Sequence, residues 1–403
     1  MKRLLKVFIL FLCINVSAVN ALEFDITADN VILYNLNDSN VLYQLESEES
    51  VNIASLTKIM ATIVAIENID NLDEEVVVPK EAFVGISEYS KMGLQVGNVV
   101  TYRDLLYGIM LPSGADAVNT VAISLTGSVD SFVELMNAKA QELGLKETHF
   151  DNPIGMDSDE NYSTASDVAK MLLYGLENET FKEIFYSKEY TVNSLNKKLQ
   201  STLINYSKYL GLDTDNINGA KSGFTDGAGL CLASVATYDD VEFLLVVLGS
   251  DVSNRANAVK DSLEIYDYYS GNYSYRKIVT KDEVVKKLDV KFGYDDVYEI
   301  KNEEDIYLYL ENSLRRNRIK YEYEGIEELN YLIKKGTKLG TVKVMYEGEE
   351  LTSYDVYLNE ELEYYHPGLY VVIFLLFMIM IISISKLRKR KKKVKRKKRR
   401  SRR

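Results

Sequence analysis

Residues 369–385 contain no charged side chain, and 15 Lys/Arg with no acidic residue follow in 386–403. This pairing limits what the chain can become more than any other feature. Seventeen residues at about 1.5 Å rise cover roughly 25 Å, enough to cross a bilayer core. The segment is therefore expected to be a membrane helix over 367–385, with Tyr364, Tyr365 and Tyr370 at its interfacial belt. The cations of 386–403 would hold that end in the cytoplasm and leave the bulk of the chain outside. At the other end, Lys2, Arg3 and Lys6 precede an apolar run from Val7 to Val19 and small residues at Val19-Asn20-Ala21. That is the layout of a signal peptide, expected to be removed after residue 21.

The formal net charge of −12 hides an asymmetry. Setting aside the 15 tail cations and the three near the N-terminus leaves 30 of 48 Lys/Arg against 60 Asp/Glu, about −30. Such a surface argues against nucleic acid as a partner. The basic tail sits directly behind the apolar segment, so it reads as a topology anchor able to meet anionic lipid. Of two cysteines, Cys13 lies in the signal peptide, so Cys231 cannot form a disulfide within the mature chain. Its apolar neighbours make it a packing residue rather than a nucleophile.

Between these ends the hydrophobic period changes twice. Val31–Tyr34 and Val41–Tyr43 flank Asn37-Asp38-Ser39-Asn40 as a hairpin with a longer loop. Helical spacing then dominates to about residue 190. One helix carries Leu56, Ile59, Met60, Ile63 and Val64 on one face. Thr101-x-x-Asp104 caps a short helix toward Leu111, further helices are expected over 116–125 and over 128–143 ending at Gly144, and Thr164-x-x-Asp167 opens another through Leu173. Strands return at 217–222, 230–237 and 241–248. Strands, many helices, then strands describe an α+β domain whose antiparallel sheet is drawn from both ends of the sequence, with a helical insert. From about Tyr273 short β-like runs at 305–310, 341–346 and 354–358 mark a separate small β-rich domain. The expected boundaries are 22–272 and 275–362.

Three short motifs fall inside the first domain. Ser55 stands at or just inside a helix start and Lys58 three residues on, so the amine can reach the hydroxyl. A serine hydroxyl is a weak nucleophile until a base takes its proton, and a desolvated lysine can be that base. Ser-x-x-Lys alone is a weak signal, since it recurs at Ser194, Ser274 and Ser383. Further on, Ser113-Gly114-Ala115 occupies a turn between two helices, and Lys221-Ser222-Gly223 lies on a strand followed by Phe224. Lys221 and Ser222 suit a carboxylate, and Gly223 admits a ligand close to the strand edge. With His149 and His366 as the only histidines, neither a Ser-His-Asp triad nor a histidine-built zinc site is readily assembled, and His149 reads as structural. No cofactor or metal is expected.

In order, Ser-x-x-Lys, Ser-x-x and Lys-Ser-Gly are the signature of penicillin-binding proteins and related serine acyl-enzymes. The surrounding stretches 54–60, 96–117, 148–156, 162–169 and 219–233 resemble the low-molecular-mass D-alanyl-D-alanine carboxypeptidases. That resemblance implies a penicillin-binding-protein/β-lactamase-like catalytic domain and removal of the terminal D-Ala from peptidoglycan stem peptides. It also implies inhibition by β-lactam antibiotics. It makes Ser55 the nucleophile, Lys58 the general base and Ser113 a proton relay. Lys221 and Ser222 would hold the substrate carboxylate, and the N–H groups of Ser55 and Phe224 would form the oxyanion hole. Departures from the family pattern are Ala115 for the usual Asn, with Asn119 a turn further on, Ser222 for Thr, and Asn161 for the usual His. The terminal segment also reads as a spanning helix, where members often have one lying on the membrane. A β-lactamase shares the motifs but needs a carboxylate to activate its deacylating water, and Glu147, Asp151, Asp157, Asp159 and Glu160 are candidates. A chain that binds wall peptides without turnover is the third reading.

Overall fold

The computed structural model describes residues 24–365 and 367–400. The expected signal peptide and His366 lie outside the described residues. Two compact units divide at Gly271/Asn272.

The first unit contains nine strands: β1 (Asn30–Asn35), β2 (Asn40–Leu45), β3 (Glu75–Val77), β4 (Val99–Thr101), β5 (Glu189–Val192), β6 (Lys197–Gln200), β7 (Ile217–Thr225), β8 (Gly229–Tyr238) and β9 (Val241–Ser250). Its helices are α1 (Thr57–Asn68), α2 (Tyr102–Met110), α3 (Ala115–Thr126), α4 (Val129–Glu142), α5 (Ala165–Leu176), α6 (Glu179–Tyr186), α7 (Thr202–Leu210) and α8 (Asn257–Asn272). Five strands form an antiparallel sheet in the order β2-β1-β9-β8-β7. Asn30 of β1 lies opposite Leu248 of β9, so the sheet is built from both ends of the unit as the alternation of periods implies. Strand β9 is central because it can bury both faces. Leu244, Val246 and Leu248 join the helical core, while Phe243 packs against Tyr266 of α8.

Helix α1 departs from the amphipathic reading. Every residue from Thr57 to Ala65 is buried, the polar Lys58 and Thr62 included. It is a central helix, enclosed on all sides, and Thr62 satisfies its hydroxyl by bonding the Lys58 carbonyl at 2.7 Å. The surrounding helices have well-marked starts. Thr101 and Asp104 form a reciprocal capping box on α2, and Ser128, Thr164 and Asn178 cap α4, α5 and α6.

The second unit contains only strands and one long helix among its regular elements of more than one turn. These are β10 (Tyr273–Val279), β11 (Val284–Val290), β12 (Val297–Lys301), β13 (Ile306–Glu311), β14 (Ile319–Gly325), β15 (Glu328–Leu329), β16 (Lys338–Tyr346), β17 (Glu349–Tyr357) and α9 (Pro367–Arg400). Strands pair as β10-β13, β12-β11-β15 and β14-β16-β17. Their inner faces form a core with Leu288, Ile300, Leu329, Val342 and Leu358. In α9 the stretch Gly368–Lys395 is, by length and composition, apolar enough to cross a membrane, with mean hydropathy 2.7 in its most apolar window. The helix does not stop at Ser385 but continues into the basic tail.

Candidate active site

Ser55 sits in a single 3-10 turn, Ala54–Leu56, immediately before α1. Ala54 has a left-handed φ of 47°, which tightens the chain just ahead of the serine. The Lys58 ammonium donates to Ser55 Oγ at 3.0 Å and to the Ile154 carbonyl at 2.6 Å. Lys58 is fully buried. Desolvation, followed by repulsion from Lys221, pushes its pKa well below that of a free lysine, and the Asp116 carboxylate opposes the shift. The site therefore pairs a hydroxyl with an amine that loses its proton readily.

Ser113 occupies the turn between α2 and α3 with a φ of 61°. The buried Lys221 of β7 donates to Ser113 Oγ at 2.9 Å and to the Ser222 carbonyl at 2.7 Å. Burial lowers the Lys221 pKa to about 7. Strand β7 is an edge strand and packs against the Ser55 turn. A Cβ on Gly223 would lie 3.0 Å from both the Ala54 Cβ and the Ser55 nitrogen, so any side chain there would push the serine turn away by a few tenths of an ångström. Ser222 Oγ and Thr202 Oγ1 are 2.8 Å apart. Phe224, next along β7, is exposed. The three sequence motifs thus converge.

The substitution at Ala115 has an answer in the backbone. Ala115 offers Lys58 no amide, and the Ile154 carbonyl accepts from its ammonium. Asn119 does not take over: its Nδ2 donates to the Ala82 carbonyl at 3.2 Å. Asn161 donates to the Met156 carbonyl at 3.2 Å. His149 Nδ1 lies 2.6 Å from the Glu160 carbonyl oxygen and its ring is half-exposed, a structural placement. Cys231 is buried, and burial pushes its thiol up to about 12. None of Glu147, Asp151, Asp157, Asp159 and Glu160 makes a side-chain hydrogen bond to Ser55 or Lys58. Glu147 accepts from Ser50 and Asp157 from Thr225.

Two residues that frame the site lie in family-like stretches but were not among the candidate site residues. Asp116, fully buried, accepts the N–H groups of Met92, Gly93, Leu94 and Ala117 at 2.7, 2.8, 2.9 and 3.0 Å. It ties the loop before β4 to the Ser113 turn. Asn152 Oδ1 accepts the N–H groups of Ile154, Gly155 and Met156 at 3.2, 2.8 and 2.9 Å, shaping the loop that presents the Ile154 carbonyl. An acidic residue in the first turn of α3 and an Asn-Pro pair were visible in the sequence. What they bind lies 22 to 24 residues away or in an irregular loop, which periodicity does not report.

A serine bonded to a buried lysine at the head of a central helix, with a second buried lysine on the neighbouring edge strand, defines the class of serine acyl-enzymes. The chain belongs to the D-alanyl-D-alanine carboxypeptidase family, whose model matches residues 15–252. Residues 273–364 match the C-terminal domain of penicillin-binding protein 5. D-alanyl-D-alanine carboxypeptidase DacF of Bacillus subtilis is 29% identical over 341 residues, covering 83% of this chain and 86% of its own. DacC of Escherichia coli is 34% identical over 230 residues, covering 54% and 56%. The crystal structure of the carboxypeptidase DacD from Francisella tularensis superposes with a TM-score of 0.67 at 23% identity, covering 86% and 95%. The Streptomyces K15 DD-transpeptidase superposes with a TM-score of 0.55 at 31% identity, covering 60% and 97%. These relatives favour the carboxypeptidase reading over the β-lactamase.

Proposed function

We propose that the protein removes the terminal D-Ala from peptidoglycan stem peptides through an acyl-enzyme on Ser55. The observation that carries this is the 3.0 Å bond from the fully buried Lys58 Nζ to Ser55 Oγ, which stays half-open to solvent. Neutral Lys58 takes the Ser55 proton as Oγ attacks the carbonyl of the penultimate D-Ala. The N–H groups of Ser55 and Phe224 receive the developing oxyanion, each such donor being worth about 3 kcal/mol in transition-state stabilisation. Lys221 and Ser222 hold the terminal carboxylate while Gly223 lets the peptide lie along the free edge of β7. Ser113, bonded to Lys221, passes a proton to the departing amine and recovers one from the Lys58 ammonium, so the proton taken from Ser55 leaves with D-Ala and Lys58 is neutral again. Water then hydrolyses the ester and regenerates Ser55. A β-lactam carries a carboxylate and a strained amide into the same position and acylates the same oxygen.

The same reading includes export by residues 1–21, a catalytic domain over 22–272, a β-domain over 275–362 and an anchor over 367–385. The catalytic domain then lies outside the membrane and 386–403 in the cytoplasm. The charge asymmetry and the apolar stretch of α9 support this arrangement.

The test uses the full chain in detergent micelles beside Ser55→Ala. Each is incubated with a diacyl peptide ending in D-Ala-D-Ala, released D-Ala is quantified, and intact mass is recorded after penicillin. Release and an adduct, both absent from the variant, are the expected result. Rapid drug hydrolysis with little D-Ala release would point to a β-lactamase. Absence of both release and adduct from the wild type would overturn the enzymatic reading.

A further inference from the structure

Asp157 was weighed in the sequence as a carboxylate for activating water, but the structure commits both its oxygens elsewhere. Oδ1 accepts from the Thr225 hydroxyl at 2.5 Å, and Oδ2 accepts from the Gly227 N–H at 2.9 Å. Thr225 Oγ1 in turn accepts the Ala228 N–H at 3.1 Å, so the carboxylate anchors the whole turn between β7 and β8. The fit is close. A Cβ on Gly227 would stand 2.9 Å from Asp157 Oδ2. That turn begins two residues beyond Phe224.

The segment that carries Asp157 also touches the other half of the site. Within four residues of it, the Ile154 carbonyl accepts a hydrogen bond from Lys58 Nζ at 2.6 Å. Gly155, at a φ of +82°, is pressed so closely to the Ser55 turn that a Cβ would fall 1.9 Å from the Ala54 carbonyl oxygen. Asn152 holds the segment rigid through its three N–H bonds. One irregular loop therefore grips the amine, the serine turn and the end of the edge strand. From these contacts we infer that residues 152–157 act as a clasp setting the separation between Ser55 and the Phe224 N–H, and that Asp157 is a positioning residue for that oxyanion donor. This inference rests on the proposed Ser55 chemistry.

An oxyanion donor acts on the transition state, so losing its alignment slows acylation without weakening encounter with the drug or peptide. Asp157 is exposed, and replacing it leaves the core untouched. Asp157→Ala and Thr225→Val are each expected to lower the first-order rate of Ser55 acylation by penicillin about tenfold, with the dissociation constant of the encounter complex unchanged. The double variant should be no slower than either single one, because both break the same anchor. Asp157→Asn keeps an acceptor for Gly227 and a polar partner for Thr225, so it should recover most of the rate.

The measurement is stopped-flow acylation of the full chain in micelles, with thermal unfolding of each variant in parallel. Wild-type rates in Asp157→Ala would overturn the inference. So would a loss confined to the encounter constant, an additive double variant, or a rate loss that follows a lowered melting temperature and is not recovered by Asn. Absence of wild-type acylation would instead overturn the Ser55 reading beneath it, and is recognised by the missing adduct before any variant is compared.

Discussion

Gly155 and Ala54, about a hundred residues apart in sequence, meet so tightly that a single carbon added to the first would lie 1.9 Å from the carbonyl oxygen of the second. Gly155 also has a φ of +82°, a conformation that costs other residues about 1–2 kcal/mol. Gly155→Ala should therefore displace the Ser55 turn, lower the melting temperature and cut penicillin acylation about a hundredfold. Unchanged acylation would show that the loop yields while the serine stays in place.

Lys221 makes stability depend on pH in a defined direction. Its pKa is about 7 folded against 10.5 for a free lysine, so between these values the unfolded chain binds the extra proton. Stability contributed through this group rises with pH across that window, and the penalty of burying the charged amine is fully present below pH 7. The melting temperature of Lys221→Met relative to wild type should be highest below pH 7 and decline toward pH 10.5. The lost bonds to Ser113 and Ser222 add an offset that does not set the slope. A flat difference from pH 6 to 10 would contradict the assignment.

Asp116 is predicted to be costly to remove. Asp116→Ala leaves the N–H groups of Met92, Leu94 and their neighbours without their acceptor in a buried setting. The expected loss is about 3 kcal/mol or more in urea unfolding, with acylation reduced because the Ser113 turn loosens. A change below about 1 kcal/mol would mean that water replaces the carboxylate.

Cys231 should be inert. Burial holds its thiol near 12, so at pH 8 the thiolate is scarce as well as inaccessible. Peptide mapping after iodoacetamide should find Cys231 unlabelled in the native protein and labelled in urea. Native labelling at a comparable rate would place it at the surface.

Much of this architecture is written locally. The strands expected at 217–222, 230–237 and 241–248 are β7, β8 and β9 with ends shifted by up to three residues, because a buried run such as Phe243–Leu248 reads as a strand without reference to partners. Helix starts were legible from Thr101, Ser128 and Thr164, whose side chains bond within one turn. The Ser55–Lys58 pair was legible for the same reason. Two of the other Ser-x-x-Lys matches lack that geometry: Ser274 and Lys277 lie on strand β10, where residues three apart point to opposite faces, and Lys197 opens β6; the third, Ser383 and Lys386, is helical but lies on the exposed surface of α9. What was not legible is what crosses the chain. Asp116 reaches Met92, Ile154 reaches Lys58, and Asp157 reaches Thr225. None of these contacts leaves a periodic trace, and two of them use backbone atoms that every residue possesses.

The order of the sheet has a consequence for how the molecule comes into being. Strand β1 is made early, yet its partner β9 begins at residue 241. Until that residue has emerged, the first hairpin has an open edge and α5, which packs against both β1 and β9, lacks half of its floor. Such long-range closure delays folding until nearly the whole first unit is available. A chain with this topology acquires Ser55 in working form only when the last strand of its sheet arrives.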